Sequence, residues 1–496
     1  MIPVELQVIG ASLRTIAEEM GAVLIRSAFS ANIKERRDCS TALFDGRGRM
    51  VVQAEHIPVH LGAMPEAVAA VRAHDPAPGE PWILNDPYSG GTHLPDLTIV
   101  TRTELGFAVT RAHHADVGGS EPGSLPSGSR TLSEEGVVIP PTRLDGEARG
   151  EALKGLTSQM RNPDERLGDL RAQLSAHHLA ERRIEELCAR RGRDRVAAAM
   201  EELLAYSERV VRAALLELPD GRWEATDVLE TPDDPLEIRA AVTIEGDAVE
   251  IDFEGTATQH GGNLNCPLPV TRSACFYVVR CLTAPDLPAS GGAFAPVTVR
   301  APDGCLVNAR PPAAVAAGNT ETSSRIVDVV LAALGQAVDV PAQGQGTMNN
   351  VVFGNERFTY YETIAGGQGG CPHEDGPSGV HVAMTNTLNT PIEALELAYP
   401  LRVERYSLRP GSGGPGLHRG GDGVVREIRA LEACRLSLLT QRRATPPRGA
   451  NGGGDGLPGR NLLNGKELPA FVTRDVGPGD LLRIETPGGG GWGEPV

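Results

Sequence analysis

Asn85-Asp86-Pro87-Tyr88-Ser89-Gly90-Gly91-Thr92-His93-Leu94-Pro95-Asp96 lies between two short apolar runs, Trp82-Ile83-Leu84 and Leu97-Thr98-Ile99-Val100; a third run, Phe107-Ala108-Val109, leads into His113-His114-Ala115-Asp116. Apolar runs of this length, bounded by proline and glycine, read as buried strands. Imidazoles and carboxylates then sit at strand ends, where plain turns are usual. Neighbouring strand ends are rigid enough to bring three or more ligands within ~2.0–2.3 Å of one ion. Mixed imidazole nitrogen and carboxylate oxygen suit a borderline divalent metal such as zinc, manganese or iron. The competing reading is a pair of polar loops whose His and Asp only cap turns. A single His-x-x-Asp favours that reading, but two His/Asp clusters about twenty residues apart around one apolar strand put the metal on level terms with it.

Upstream, residues 4 to 28 carry apolar residues at helical period (Leu6, Ile9, Leu13, Ile16, Met20, Leu24), which predicts an amphipathic helix on the core. Thr41-Ala42-Leu43-Phe44, the turn Asp45-Gly46-Arg47-Gly48 and Met50-Val51-Val52 predict a hairpin. Glu55, His56 and His60 follow it. From Asn162-Pro163-Asp164-Glu165 to Leu218 the pattern is helical, opening on acidic residues that suit the positive end of the helix dipole. His177 and His178 lie in this stretch about 100° apart on the helix, so a surface or interface role is expected rather than a shared ion. Past Pro219-Asp220-Gly221 come strands at Ile238 to Ile244 and Val249 to Phe253, then helices at 268–283 and 321–336. The last hundred residues are glycine-dense, with short strands such as Val424 to Arg429 and Leu481 to Glu485, and predict a β-rich domain with tight turns. The fold class expected is α+β, multi-domain: 1–160 with the candidate metal site, 161–218 helical, 219–400 mixed, and 401–496 glycine-rich β.

Composition narrows the function classes. A net charge of −17 argues against a nucleic-acid surface, which needs a basic excess. No segment approaches the ~20 uninterrupted apolar residues of a membrane span, and the first residues lack a signal peptide's pattern, so a cytoplasmic protein is expected. Eight cysteines without a C-x-x-C predict reduced thiols; Cys39 and Cys371, in polar surroundings, are minor nucleophile candidates. No G-x-x-x-x-G-K-[ST] occurs, and the G-x-G-x-x-G letters at 411–416 and 488–493 open no helix inside a βαβ unit. A reaction that uses a nucleotide would therefore draw it from another chain.

Several longer motifs resemble the hydantoinase B / oxoprolinase family. They are Asn85 to Asp96, Ile33-Lys34-Glu35-Arg36-Arg37-Asp38, Gln53-Ala54-Glu55-His56-Ile57-Pro58-Val59-His60-Leu61-Gly62, and Gly318-Asn319 with Glu321-Thr322-Ser323. His381 with Met384-Thr385-Asn386-Thr387, Gly420-Gly421-Asp422-Gly423-Val424 and the ending Glu485 to Gly491 belong with them, so the matches span almost the whole chain. The resemblance implies a cytoplasmic hetero-oligomer in which an A subunit, an ATPase of actin-like fold, phosphorylates an amide or lactam carbonyl oxygen. The B subunit carries the activated intermediate forward. Members include hydantoinases, N-methylhydantoinase, 5-oxoprolinase and lactamases, and the large subunits of ATP-dependent acetone and acetophenone carboxylases, which hold a metal ion.

Carried onto this sequence, the family's metal motif falls on His93, Asp96 and one histidine of the pair. His114 is chosen and His113 left open, since neighbouring strand residues face opposite ways. The resemblance makes Glu55 a fourth ligand or general base and Asp116 a partner that fixes an imidazole tautomer. Asp38 and His381 are assigned to proton transfer, and Arg36 or Arg37 to the phosphate; a surface ion pair with Glu35 or Asp38 is the competing reading for these arginines. The function expected is the B subunit of an ATP-dependent cyclic amidohydrolase opening a hydantoin, 5-oxoproline or similar lactam ring. A ketone carboxylase subunit and a non-catalytic scaffold for the A subunit are the alternatives; 496 residues fits the hydantoinase type better than the longer carboxylase subunit.

Overall fold

The computed structural model describes residues 3–55, 57–144 and 149–495. The predicted hairpin forms as β1 (Cys39–Asp45) and β2 (Met50–Glu55). Its turn is made by Asp45, whose Oδ1 accepts from the Arg47 and Arg49 amides, and by Gly48 at φ +81°, where a side chain would be strained. With β3 (Pro81–Leu84), β4 (Asp96–Arg102), β5 (Gly106–His113) and β6 (Thr142–Arg143), these build a six-stranded sheet in the order β2-β1-β5-β4-β3-β6. Every pairing in it is antiparallel.

Both faces of the sheet's centre are covered, which is why its strands read as unbroken apolar runs rather than as alternation. The helices Pro3–Ser27 and Pro163–Arg191 lie on one face, where Ile9, Leu13, Met20 and Ile184 pack with Leu43, Ala108 and Ala112. On the other face Phe44, Phe107 and Val109 join the main core with Met64, Val68 and residues from the central segment. The second long helix is followed at once by Arg193–Leu215, the two separated by Gly192 at φ +86°.

The central strands β7 (Gly221–Leu229), β8 (Leu236–Glu245), β9 (Ala248–Asp252) and β10 (Val297–Arg300) form a second sheet. Its one parallel pair, β9 with β10, is bridged through the predicted helix Leu268–Thr283. A third sheet joins β11 (Asn350–Gly354) and β12 (Thr359–Glu362) to β15 (Cys434–Leu439) and β18 (Phe471–Val476), so strands from both sides of position 400 share one ladder. The fourth holds β13 (Leu401–Leu408), β14 (Val424–Ala430), β16 (Arg460–Leu463), β17 (Lys466–Leu468) and β19 (Leu481–Glu485). The second predicted central helix begins one turn early as a π-helical turn, Gly318–Thr322, and continues as Ser323–Leu334.

The terminal glycine runs do more than turn. They lie against one another, donating backbone to backbone from Gly414 to Gly489 (2.8 Å), Gly489 to Gly421 (2.9 Å) and Gly421 to Gln368 (2.8 Å). A Cβ on Gly489 would come within 2.0 Å of the Gln368 carbonyl oxygen, so only glycine permits this approach. Among the described residues no helix is long and apolar enough to cross a membrane.

Candidate metal centre

The loop before β4 is tied down by its own polar residues. Asn85 Nδ2 donates to the carbonyls of Leu94 and Val137, each at 2.9 Å, while its Oδ1 accepts from the Ile139 amide at 2.6 Å. Asp86 caps the short turn Pro87–Ser89 by accepting from the Tyr88 amide. Gly91 is compulsory there, since a Cβ would lie 2.2 Å from the Asn85 carbonyl oxygen. The loop thus delivers His93 and Asp96 to the end of β4 in a fixed pose.

Asp96 is the hub. Its Oδ2 lies 2.9 Å from His93 Nδ1 and 3.7 Å from His60 Nε2, and its Oδ1 lies 3.4 Å from His113 Nδ1. Thr92 Oγ1 donates to Oδ2. Asp96 and the three histidines are all buried. Burial alone would push the Asp96 carboxyl up; the imidazoles of His93, His113 and His60 outweigh it and hold the group well below the usual carboxylate range. Burial lowers His113 in turn, against the pull of Asp96.

His93, Asp96 and His113 bring one ligand atom each to within 4.8 Å of one another. Nε2 of His93, of His113 and of His60 are each buried without a hydrogen-bond partner. Buried polar atoms are nearly always paired, so unpartnered imidazole nitrogens around one carboxylate make His93, Asp96 and His113 a group that could hold a cation. His60 Nδ1 lies 3.0 Å from Ser40 Oγ, which leaves Nε2 directed at Asp96.

The sequence reading chooses His114 and leaves His113 open; the register sets His113 beside Asp96. Asp96 and His113 are direct partners across β4 and β5, so the next residue turns to the opposite face. There His114 Nε2 meets Gln173 Oε1 at 3.0 Å, and burial pushes its pKa down to about 4. Glu55 closes β2 opposite Ser40, but its side chain lies outside the described residues, as does His56. Among the described residues Asp116 hydrogen-bonds no imidazole. Its oxygens accept from the Gly118 and Gly123 amides, both at 2.7 Å, and from Arg161, so it shapes the loop that leaves β5.

Arg36 is fully buried, which overturns the surface ion pair. Its Nη1 donates to the Tyr361 carbonyl at 2.8 Å and its Nη2 to Thr363 and Thr387 at 2.7 and 3.0 Å, while Nε has no partner. Arg37, at φ +55°, is exposed. Asp38 is buried and its carbonyl accepts from the His113 amide at 3.0 Å. His381 Nδ1 lies 3.0 Å from Thr385 Oγ1; burial, reinforced by Arg36, pushes the ring down to about 3 and leaves Nε2 unpartnered. Thr385 and Thr387 therefore hold His381 and Arg36 from one short segment.

Two further readings change. The Cys39 thiol is pushed far up by burial and by Asp38, and Cys371 is raised as well, so neither thiol is activated by its surroundings. His177 is a core residue bonded to Thr110 Oγ1 at 3.0 Å, whereas His178 is exposed. The sequence reading missed His60 and Tyr361 at the centre. His60 stood within a quoted motif, four residues beyond His56, but nothing local marked it; Tyr361 arrives from another sheet.

The chain belongs to the hydantoinase B/oxoprolinase family, whose family model matches residues 2–495. An uncharacterised protein of Methanocaldococcus jannaschii is 39% identical over 100% of this chain and 91% of its own length. The 5-oxoprolinase 1 of Arabidopsis thaliana is 40% identical over 99% of this chain but only 42% of that enzyme. This chain thus spans less than half of the eukaryotic 5-oxoprolinase. A protein of Pseudomonas sp. strain NS671 named for the B subunit of a D-/L-hydantoinase is 31% identical, covering 100% of this chain and 90% of that one. Among solved structures, the ATP-dependent caprolactamase of Pseudomonas jessenii superposes with a TM-score of 0.93 at 28% identity, over 100% of this chain and 91% of the other. An acetone carboxylase without nucleotide shares the fold, with a TM-score of 0.89 at 17% identity over 100% and 76%.

Proposed function

We propose that this chain is the B subunit of an ATP-dependent hydrolase of cyclic amides, working from a divalent metal held by His93, Asp96 and His113. The observation that carries the reading is the buried group of imidazoles with orphaned nitrogens around Asp96. It lies in a chain that superposes along its whole length on an ATP-dependent caprolactamase.

A divalent zinc, manganese or iron ion bound there would polarise a carbonyl oxygen and lower the pKa of a water toward neutrality. The protein's own groups do the rest. Asp96 stays ionised and supplies the negative charge, while His113, lowered by burial, is a neutral ligand beside His93. His60 Nε2, 3.7 Å from Asp96 Oδ2, takes or returns a proton. His381, kept neutral by burial and Arg36, offers its unpartnered Nε2 as a hydrogen-bond acceptor on the Arg36 side. Arg36, a cation without a carboxylate within ion-pair distance among the described residues, orients an anionic group of the activated substrate.

ATP enters through a partner. The sequence carries no G-x-x-x-x-G-K-[ST], a relative is named as a B subunit, and the 5-oxoprolinase of Arabidopsis has more than half its length to spare. A planar lactam resists water, and conversion of its oxygen to a phosphate leaving group in a hydantoinase A-type ATPase removes that resistance. The cytoplasm, where ATP is supplied, is the compartment this reading requires. Co-expression with the A-type subunit tests it: ADP release coupled to ring opening of hydantoin, 5-oxoproline or caprolactam is expected, independent of bicarbonate. Turnover of a ketone that requires bicarbonate would instead assign the carboxylase reading, and A-subunit turnover unaffected by loss of this chain would assign a scaffold.

A further inference from the structure

Tyr361, on β12 of the third sheet, reaches the candidate centre from a different sheet than its ligands. Its ring stacks on His113 with centroids 4.8 Å apart and planes inclined by 19°. The Arg36 guanidinium carbon lies 4.9 Å from the same ring centroid, and Arg36 Nη1 holds the Tyr361 carbonyl. The phenol donates to Asn350 Oδ1 at 2.9 Å. Asn350 Nδ2 in turn donates to Glu321 Oε1 at 2.7 Å and to the Leu439 carbonyl at 2.9 Å. Two acceptors facing Nδ2 fix the amide's orientation, so Oδ1 must face the phenol. Glu321 also accepts from the Met348 amide at 3.1 Å and sits in the π-helical turn Gly318–Thr322. All of these side chains are buried.

A metal-binding imidazole is ordinarily fixed by a hydrogen bond from its second nitrogen to a carboxylate or carbonyl. With Nδ1 as the ligand atom beside Asp96, at 3.4 Å, His113 has no such bond, because its second nitrogen, Nε2, has no partner. The plane of its ring is set by packing instead, between Tyr361 and the His93 ring, whose centroid is 4.9 Å away. We infer that Tyr361 is a positioning residue for His113, locking the imidazole plane by stacking, and that Asn350 and Glu321 hold the phenol in place. The inference rests on the proposed metal centre for its purpose but on the observed stack for its geometry. It makes the centre a joint product of two sheets, the first supplying ligands and the third their orientation.

The test compares Tyr361→Phe, which keeps the stack, with Tyr361→Leu, which removes it. Co(II) affinity by competition and the Co(II) d–d spectrum are measured on the full chain, with melting of the metal-free protein recorded for each variant. Tyr361→Leu is expected to bind Co(II) about tenfold or more weakly, with a shifted spectrum, and Tyr361→Phe to restore the wild-type spectrum. A lowered melting temperature with unchanged Co(II) affinity and spectrum would reduce Tyr361 to a structural role and overturn the proposal. Crystal structures of both metal-free variants separate this from the metal reading. A rotated His113 ring in Tyr361→Leu alone supports positioning even where wild type fails to bind Co(II), which would sink the metal centre; an unmoved ring overturns positioning. Should Tyr361→Leu not fold, Tyr361→Met, which fills the space without a planar ring to stack on His113, is read by the same measurements.

Discussion

Asp96 Oδ1 lies 3.4 Å from His113 Nδ1 because the two residues are direct cross-strand partners on β4 and β5. Opposed residues of an antiparallel pair share a face, with Cβ atoms ~4.5–5.5 Å apart, a separation one ion can bridge. The pairing yields a direct comparison of the two adjacent histidines. His113→Ala should lower bound zinc or manganese by elemental analysis and abolish hydrolysis in the reconstituted complex. His114→Gln should keep the metal. Equal metal loss in both variants would contradict the register argument.

Asp96→Asn removes the charge while keeping the shape. With the carboxylate gone, the two ligand imidazoles face a cation without compensation, and metal affinity should fall by at least 100-fold, roughly 2.7 kcal/mol or more. Metal-free Asp96→Asn should be no less stable than metal-free wild type by more than about 1 kcal/mol, since the surrounding ring nitrogens and Thr92 can hydrogen-bond an amide as well as a carboxylate. Wild-type metal content in the variant would remove Asp96 from the site.

Much of this arrangement was legible in the sequence, and the reasons it stopped are physical. Trp82-Ile83-Leu84 and Leu97 to Val100 read as strands because they are buried on both faces, and the periodic leucines of 163–191 read as a helix. The loop that carries His93 and Asp96 advertised itself through Asn85, Gly90 and Gly91. Strand register is another matter: the alternation rule shows that only one of His113 and His114 faces in, but which one depends on the pairing of Asp96 with β5, a long-range fact. Arg36 looked like a surface arginine because its acceptors, Tyr361, Thr363 and Thr387, lie more than three hundred residues away. The terminal glycines read as turns because close backbone approach between distant loops leaves no local signature.

Close packing around the loop makes a stability prediction of its own. A Cβ at Gly91 would meet the Asn85 carbonyl oxygen at 2.2 Å and the Asp86 carbonyl oxygen at 2.7 Å, both backbone atoms that cannot swing aside. Gly91→Ala should therefore cost about 3 kcal/mol in chemical denaturation and weaken metal binding, because the displaced strand end carries His93. Gly128→Ala, where nothing lies within 4 Å of the added carbon, is the control and should be neutral.

Buried histidines and glutamates set opposite pH responses. His177 is pushed down to about 3 by burial, first, and by His178, so it is neutral when folded and titrates near 6.5 when unfolded. Between those values the unfolded chain binds the extra proton, and stability falls as pH drops below about 6.5, by up to ~1.4 kcal/mol per pH unit for this one group. Glu321 is pushed up to about 7 by burial, so it is protonated in the fold at pH values where the unfolded carboxyl is ionised. Its contribution runs the other way: stability gained as pH falls from about 7 toward 4.5, lost again as pH rises through 7. Urea denaturation of the metal-free protein at pH 5, 6 and 7 should show His177→Gln losing less stability on acidification than wild type and Glu321→Gln losing more. Parallel curves for all three proteins would mean that neither group is held in the protonation state its burial implies.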